Sequence, residues 1–157
     1  MLSPRFDFKL FTFQIQPNNI FLSNNYELLQ LGDFGISHLY ENTDCTCAGV
    51  APYMAPELLN QEPYTNKVDV WSTGCVFYEM ANLKMMWYSA PPGQRVAPPA
   101  MIGKVCRNID TGKYENFDQD CPEKVKEIIL KATRNDSNER PTAEELYQTA
   151  KLLQPQR

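Results

Sequence analysis

The sequence lacks the features that mark exported and membrane-spanning proteins. No stretch approaches the roughly 18 consecutive apolar residues that a membrane-spanning helix needs. Residues 1–14, MLSPRFDFKLFTFQ, are interrupted by proline and by charged side chains, so they lack the continuous apolar core of a signal peptide. The sequence therefore predicts an intracellular protein, cytoplasmic or nuclear, with no membrane partner.

Paired cysteines and a strong excess of positive charge are missing as well. The five cysteines are an odd number without the paired spacing of zinc ligands, which favours free thiols in a reducing compartment. Fifteen Lys and Arg against 19 Asp and Glu give a net charge of −4, mixed along the chain, so no nucleic-acid partner is predicted. The 157 residues are 43% hydrophobic and 22% charged, which suits one packed domain.

Hydrophobic patterning predicts a hairpin, a long loop and a buried helix in the first half of the chain. Residues 19–23 and 27–31 are short apolar runs separated by two asparagines, which favours a small β-hairpin. Residues 32–63 are rich in Gly, Pro, Asn and Thr without helical periodicity, so we expect a long loop. Residues 66–80 are almost continuously apolar after Asp69, as in a helix that is buried on most sides.

The second half is predicted to be helical. A proline-rich connector over residues 90–99 precedes a short helix near residues 100–109, and residues 122–132 alternate Glu and Lys with aliphatic residues. Residues 142–153 open with Thr-Ala-Glu-Glu, the spacing of a capping box. The predicted fold class is mainly α (α+β), a short β-hairpin followed by a helical bundle.

Four short motifs follow one another along this framework. Each is weak alone, because a few common residues recur by chance, but their order and spacing are informative. They are Asp33-Phe34-Gly35 after an apolar run, Ala55-Pro56-Glu57 at the end of the predicted loop, Asp69 at the start of the buried helix in DVWSTG, and Arg140 in NERPTAEEL before the last helix.

This ordered set resembles the second half of a eukaryotic protein kinase domain. The wording LGDFGIS and PYTNKVDVWSTGCVFYEM is most similar to the NIMA-related Ser/Thr kinases. The resemblance covers residues 12–153 and implies the large, C-terminal lobe of the kinase fold with the N-terminal lobe absent. Residues 1–11 are then a non-matching extension and residues 154–157 a tail.

The resemblance implies roles for the matched residues. Asp33 and Asn19 match the two side chains that hold magnesium on the ATP phosphates, a task suited to oxygen ligands. Phe34 would pack inward between the lobes beside Gly35. The remaining matches imply structural roles: an ion pair between Glu57 and Arg140, and a hydrogen bond from the catalytic-loop backbone to Asp69.

The catalytic loop departs from the family pattern. Kinases have H-R-D-[LI]-K-P-x-N, whereas residues 12–19 are TFQIQPNN. Gln14 therefore replaces the Asp that orients or accepts the substrate proton, and Gln16 replaces the Lys that steadies the transferred phosphate. Val50 stands where Ser/Thr kinases have a Thr that hydrogen-bonds this Asp and Lys. No catalytic residue is expected to be intact.

The activation loop and the nucleotide site are affected too. Thr43 and Thr46 lie where activation-loop phosphorylation sites fall, but Phe13 replaces the Arg that holds such a phosphate, so little switching is expected. The sequence contains no Gly-rich loop and no matching strand lysine. Mg-ATP, the cofactor of the family, is expected to bind weakly or not at all.

Three interpretations of function stay open. The chain is a catalytically inactive kinase lobe that binds proteins, with a related kinase as one candidate partner and residues 85–95 as a docking segment. Alternatively, it is an incomplete record of an active Ser/Thr kinase that phosphorylates proteins, or a fragment that folds poorly. The cluster MMWY at residues 85–88 also has two interpretations, part of the core or exposed docking surface.

Overall fold

The computed structural model describes residues 15–23, 29–32, 51–89, 97–114 and 116–153, apart from the side chain of Pro98. These residues form a helix-rich domain with one small antiparallel sheet, which agrees with the predicted fold class. The helices are α1 (Pro56–Leu59), α2 (Lys67–Asn82), α3 (Pro98–Asp110), α4 (Glu123–Ala132) and α5 (Ala143–Lys151). Short 3-10 helices span Pro17–Asn19, Ala51–Tyr53 and Ser137–Glu139.

The sheet is the predicted hairpin. Strands β1 (Ile20–Leu22) and β2 (Leu29–Leu31) pair antiparallel, with Ile20 opposite Leu31 and Leu22 opposite Leu29. Gly32 directly follows β2 and packs closely against the Phe21 ring. A Cβ at this position would lie 2.6 Å from a ring carbon. The side chain at this position must therefore be a hydrogen atom unless the ring moves.

Helix α2 is the centre of the fold. It packs against α4, α5 and the 3-10 helix Ala51–Tyr53. Trp71 and Tyr78 are fully buried in it, and the rings of Trp71 and Trp87 stack with centroids 5.4 Å apart. The prediction of a helix buried on most sides is confirmed, and its bounds are shifted by one or two residues.

The predicted loop over residues 32–63 is wrong in its described part. Residues 51–63 contain the 3-10 helix Ala51–Tyr53 and helix α1. Proline is favourable in the first turn of a helix, because the amide hydrogen that it lacks has no helical acceptor there, and α1 begins at Pro56. Residues 33–50 lie outside the described residues.

The same proline effect corrects the start of α3. The predicted connector over residues 90–99 ends earlier, because Pro98 and Pro99 belong to the first turn of α3. Helix α4 lies where it was predicted. The capping box of α5 is confirmed: the Glu145 amide donates to Thr142 Oγ1 at 3.1 Å, and the Thr142 amide donates to Glu145 Oε2 at 2.7 Å.

The MMWY cluster belongs to the core. Met86, Trp87 and Tyr88 are each at most 5% exposed, while Met85 is partly buried against the same cluster. The docking interpretation is therefore wrong for the three buried side chains. Among the helices that the structure describes, none has the length and apolar character that a membrane span requires.

Candidate functional site

The turn before the hairpin carries Gln16 and Asn19. Asn19 is 7% exposed, and its backbone amide closes the 3-10 turn by donating to the backbone carbonyl of Gln16 at 3.0 Å. The Gly32 amide donates to the Asn19 carbonyl at 2.8 Å. The hairpin therefore places Asn19 beside Gly32, the residue that precedes Asp33 in the chain. The side-chain amide oxygen of an Asn and the carboxylate oxygen of an Asp, such as Asn19 and Asp33, are suitable ligands for magnesium.

Seven of the site residues predicted from sequence lie outside the described residues, and their roles stay predictions. They are Gln14, Asp33, Phe34, Gly35, Thr43, Thr46 and Val50. The described part holds the other five, namely Gln16, Asn19, Glu57, Asp69 and Arg140. Within it, no group of three or more His, Cys, Asp or Glu side chains is arranged to hold a metal ion.

Glu57 and Arg140 form a bidentate ion pair in the interior. The Arg140 Nη1 and Nη2 atoms donate to the two Glu57 carboxylate oxygens at 2.6 and 2.8 Å. Arg140 is 2% exposed and Glu57 is 7% exposed. The paired residues are 83 positions apart, so the contact ties α1 to the segment before α5.

The remaining donors of Arg140 are satisfied as well. Its Nε donates to the Arg134 carbonyl at 2.7 Å, and Nη1 and Nη2 each donate to a further carbonyl, of Lys67 and Asn135, at 3.1 Å. Together with the two bonds to Glu57, these contacts use all five guanidinium hydrogens. The guanidinium carbon also lies 5.0 Å from the centre of the Trp71 ring, at cation–π distance.

A second anchor joins the 3-10 helix Ala51–Tyr53 to α2. The Tyr53 hydroxyl donates to Glu79 Oε2 at 2.5 Å, and the Ser72 hydroxyl donates to the Tyr53 carbonyl at 2.8 Å. Burial, followed by the hydrogen bond and charge of Glu79, raises the pKa of the Tyr53 hydroxyl far above its ordinary value. No local sequence pattern predicts this anchor, because the two residues are 26 positions apart in the chain.

Asp69 lies in the first turn of α2, where its carbonyl accepts a hydrogen bond from Thr73 Oγ1 at 2.8 Å. Asp69 and Ile15 line the same groove, so the start of α2 lies close to the chain that enters the Pro17–Asn19 turn. The hydrogen bond predicted between Asp69 and the catalytic-loop backbone stays a prediction, since residues 12–14 lie outside the described residues.

Comparison with known families decides the identity of this arrangement. The family model for the protein kinase domain matches residues 10–150, which is most of the chain. The chain belongs to the protein kinase family. The buried pair Glu57–Arg140 and the start of α2 are thus part of the framework of a kinase domain.

The curated relatives of this kinase domain include NIMA-related kinases, in agreement with the sequence motifs. The serine/threonine-protein kinase Nek5 of Homo sapiens is 44% identical over 81 residues, 50% of this chain and 11% of the relative. The probable serine/threonine-protein kinase nek2 of Dictyostelium discoideum is 31% identical over 134 residues, 84% of this chain and 29% of the relative. Human Nek2 is 29% identical over 137 residues, 85% of this chain and 28% of the relative. The chain therefore spans less than a third of the length of each of these three relatives.

Proposed function

We propose that this chain is the large, C-terminal lobe of a Ser/Thr protein kinase that no longer transfers phosphate and acts as a protein-binding module. The lobe comprises residues 12–153, with residues 1–11 as an extension and 154–157 as a tail. The observation that carries the proposal is Gln14, which occupies the position of the catalytic Asp.

Gln14 changes the chemistry at the point where the substrate hydroxyl would lose its proton. A carboxylate can accept or orient that proton, but a neutral amide cannot accept it near pH 7. Gln16 places a second neutral amide where a lysine would offset the negative charge of the transferred phosphate. Val50 lacks the hydroxyl that connects these two positions in the family.

The nucleotide site is retained only in part. Asp33 and Asn19 supply oxygen donors for magnesium, and bound magnesium would neutralise charge on the ATP phosphates. The chain offers no Gly-rich loop or matching strand lysine to hold those phosphates. We therefore expect weak Mg-ATP binding or none.

A protein-binding role needs a folded domain, and the described residues support one. The buried charges of Glu57 and Arg140 are fully paired, and Trp71, Val105 and Ile129 are fully buried in one core. Such a scaffold can present its helices to a protein partner in the cytoplasm or nucleus, and a related kinase is one candidate. Thr43 and Thr46 contribute little phosphorylation-dependent switching in this proposal, because Phe13 cannot hold a phosphate.

The test is transfer of phosphate from labelled Mg-ATP to protein substrates by the purified chain. The matched control is Asp33→Asn, which removes one magnesium ligand with little change in shape. The proposal predicts equal background incorporation by the chain and the variant, since any signal comes from contaminating kinases. Incorporation that is well above background and is abolished by Asp33→Asn would contradict it.

A second candidate is that these residues are a piece of an active Ser/Thr kinase. Two observations favour it: both magnesium-ligand positions, Asp33 and Asn19, keep the residues of the family, and the relatives are several times longer. Coding sequence upstream of Met1 decides between the candidates. An in-frame Gly-rich loop, a strand lysine and an intact H-R-D loop there would establish the second.

A further inference from the structure

A polar cleft lies between α3 and the segment that follows α2. It has a volume of about 410 Å³, with residues 86–89 on one side and Lys104, Asn108, Lys113 and Asn116 among the residues on the other. Of the described lining residues, two carry a positive charge and none carries a carboxylate. A volume of this size lies within the roughly 300–1,000 Å³ of pockets that enclose a small ligand or a few side chains. The cleft is therefore suited in size and charge to an anionic group.

The end of α3 brings the two lysines to the same cleft. Lys104 and Asn108 are four positions apart, so they lie on one face of the helix. Gly112 then adopts a left-handed conformation (φ 62°), and the Lys113 amide donates to the Asn108 carbonyl at 2.7 Å. Such a turn ends a helix and directs the chain back over its last residues. Lys113 is exposed and forms no ion pair with any residue that the structure describes, so its charge is available to a ligand.

Lys104 covers the ring of Tyr88. Its ammonium nitrogen lies 5.3 Å from the ring centre and donates to the Ser89 carbonyl at 2.8 Å in an exposed hydrogen bond. A lysine ammonium has three hydrogens, so this contact leaves two for a ligand. Tyr88 is 5% exposed, and its hydroxyl has no hydrogen-bond partner among the described residues. A buried hydroxyl without a partner is unfavourable, so an acceptor that enters the cleft would gain a donor there.

We infer that this cleft binds an acidic segment of a protein partner, whose carboxylates are held by Lys104 and Lys113. The hydrogen bond to Ser89 is exposed and readily exchanged, so Lys104 can turn toward a carboxylate and uncover the Tyr88 hydroxyl as a second donor. The hydroxyl is then reached from within the cleft, which agrees with the burial of the MMWY cluster. The exposed side-chain amide of Asn116 can both donate to and accept from a peptide group, which favours a peptide over a free anion.

This inference rests on the proposed protein-binding role and names the chemistry of a partner. Fluorescence anisotropy of a labelled, end-capped oligoglutamate peptide tests it on the full chain. The assay contains no nucleotide, so its failure is distinguishable from a failure of the phosphate-transfer test.

Three variants separate the contributions of charge and hydroxyl. The charge variant is Lys104→Gln with Lys113→Gln. Its control is Lys124→Gln with Lys131→Gln, which removes the same charge from exposed positions of α4 outside the cleft. Tyr88→Phe keeps the ring and removes the hydroxyl. Thermal unfolding followed by circular dichroism confirms that each variant is folded.

The inference predicts that the charge variant binds the peptide about tenfold more weakly than the wild type and the control, which equals about 1.4 kcal/mol. Tyr88→Phe should bind about threefold more weakly, while its thermal midpoint stays the same or rises, because the hydroxyl has no partner to lose. Equal affinities in the charge variant and its control, or equal binding of an oligoglutamine peptide, would overturn the inference. Inorganic phosphate that displaces the peptide at equal concentration would overturn it in favour of a small-anion site. A lower midpoint with unchanged affinity in Tyr88→Phe would overturn the role of the hydroxyl.

Discussion

Removing one partner of the buried Glu57–Arg140 pair should destabilise the fold more than any surface change. Glu57→Gln keeps the shape of the side chain but leaves a cationic guanidinium that is 2% exposed. Three backbone carbonyls and the Trp71 ring remain around Arg140 and compensate only in part. Loss of one partner from a buried pair costs about 3–5 kcal/mol. That is a large share of the roughly 5–15 kcal/mol that stabilises a typical domain.

Urea unfolding followed by tryptophan fluorescence measures this cost. With a slope of about 2 kcal/mol per molar urea, the midpoint should fall by about 2 M. The control is Glu123→Gln, which breaks the exposed pair with Lys126 (3.3 Å) and should cost less than about 1 kcal/mol. Adding Arg140→Met to Glu57→Gln should recover part of the loss, since it removes the unpaired charge. The reasoning fails if Glu57→Gln and Glu123→Gln cost the same.

Two further predictions concern packing and pH. Gly74→Ala should cost about 1–3 kcal/mol in urea unfolding, because its Cβ would lie 2.8 Å from the Ala132 Cβ across the α2–α4 contact. Gly103→Ala in α3, with no atom within 4 Å, should instead stabilise by up to about 1 kcal/mol, and an equal cost at both sites would contradict the packing argument. Burial raises the pKa of the Cys75 thiol from 9.0 to about 12, so the folded chain holds this proton more tightly than the unfolded chain. The contribution of the Cys75 thiol to the free energy of unfolding should therefore be fully present below pH 9 and be lost as the pH rises toward 12. Cys75→Ala should reduce the loss of stability over this pH range, and an unchanged pH dependence would contradict the role given to this thiol.

Elements with a strong local signal could be predicted from the sequence. The apolar run of α2 and the Thr142–Glu145 capping box depend on residues within a few positions of each other, and both are confirmed. Helix α1 was missed because it has only four residues and is held by tertiary contacts of its own Glu57. The start of α3 was placed two residues late, because prolines that break a helix interior are favourable in a first turn.

The site residues show the same contrast between contacts that a sequence pattern predicts and contacts that depend on tertiary packing. The family pattern pointed to the Glu57–Arg140 pair across 83 positions, which no local pattern could have done, and the structure contains this pair. The family pattern did not point to the Tyr53–Glu79 hydrogen bond or to the Trp71 ring beside Arg140. These contacts depend on how α2 is rotated in the core, and periodicity in a helix that is apolar on most sides does not fix that rotation.

Binding of Mg-ATP to the purified chain is the most direct test of the central claim, that this kinase-family chain has lost its nucleotide-dependent chemistry. A transfer assay depends on the choice of substrate, whereas calorimetric titration with Mg-ATP does not. Wild type and Asp33→Asn are titrated in parallel at nucleotide concentrations up to the millimolar range. The account predicts weak Mg-ATP binding or none, so neither chain should approach saturation at micromolar nucleotide. Stoichiometric binding by the wild type that saturates at micromolar nucleotide and is lost in Asp33→Asn would contradict it.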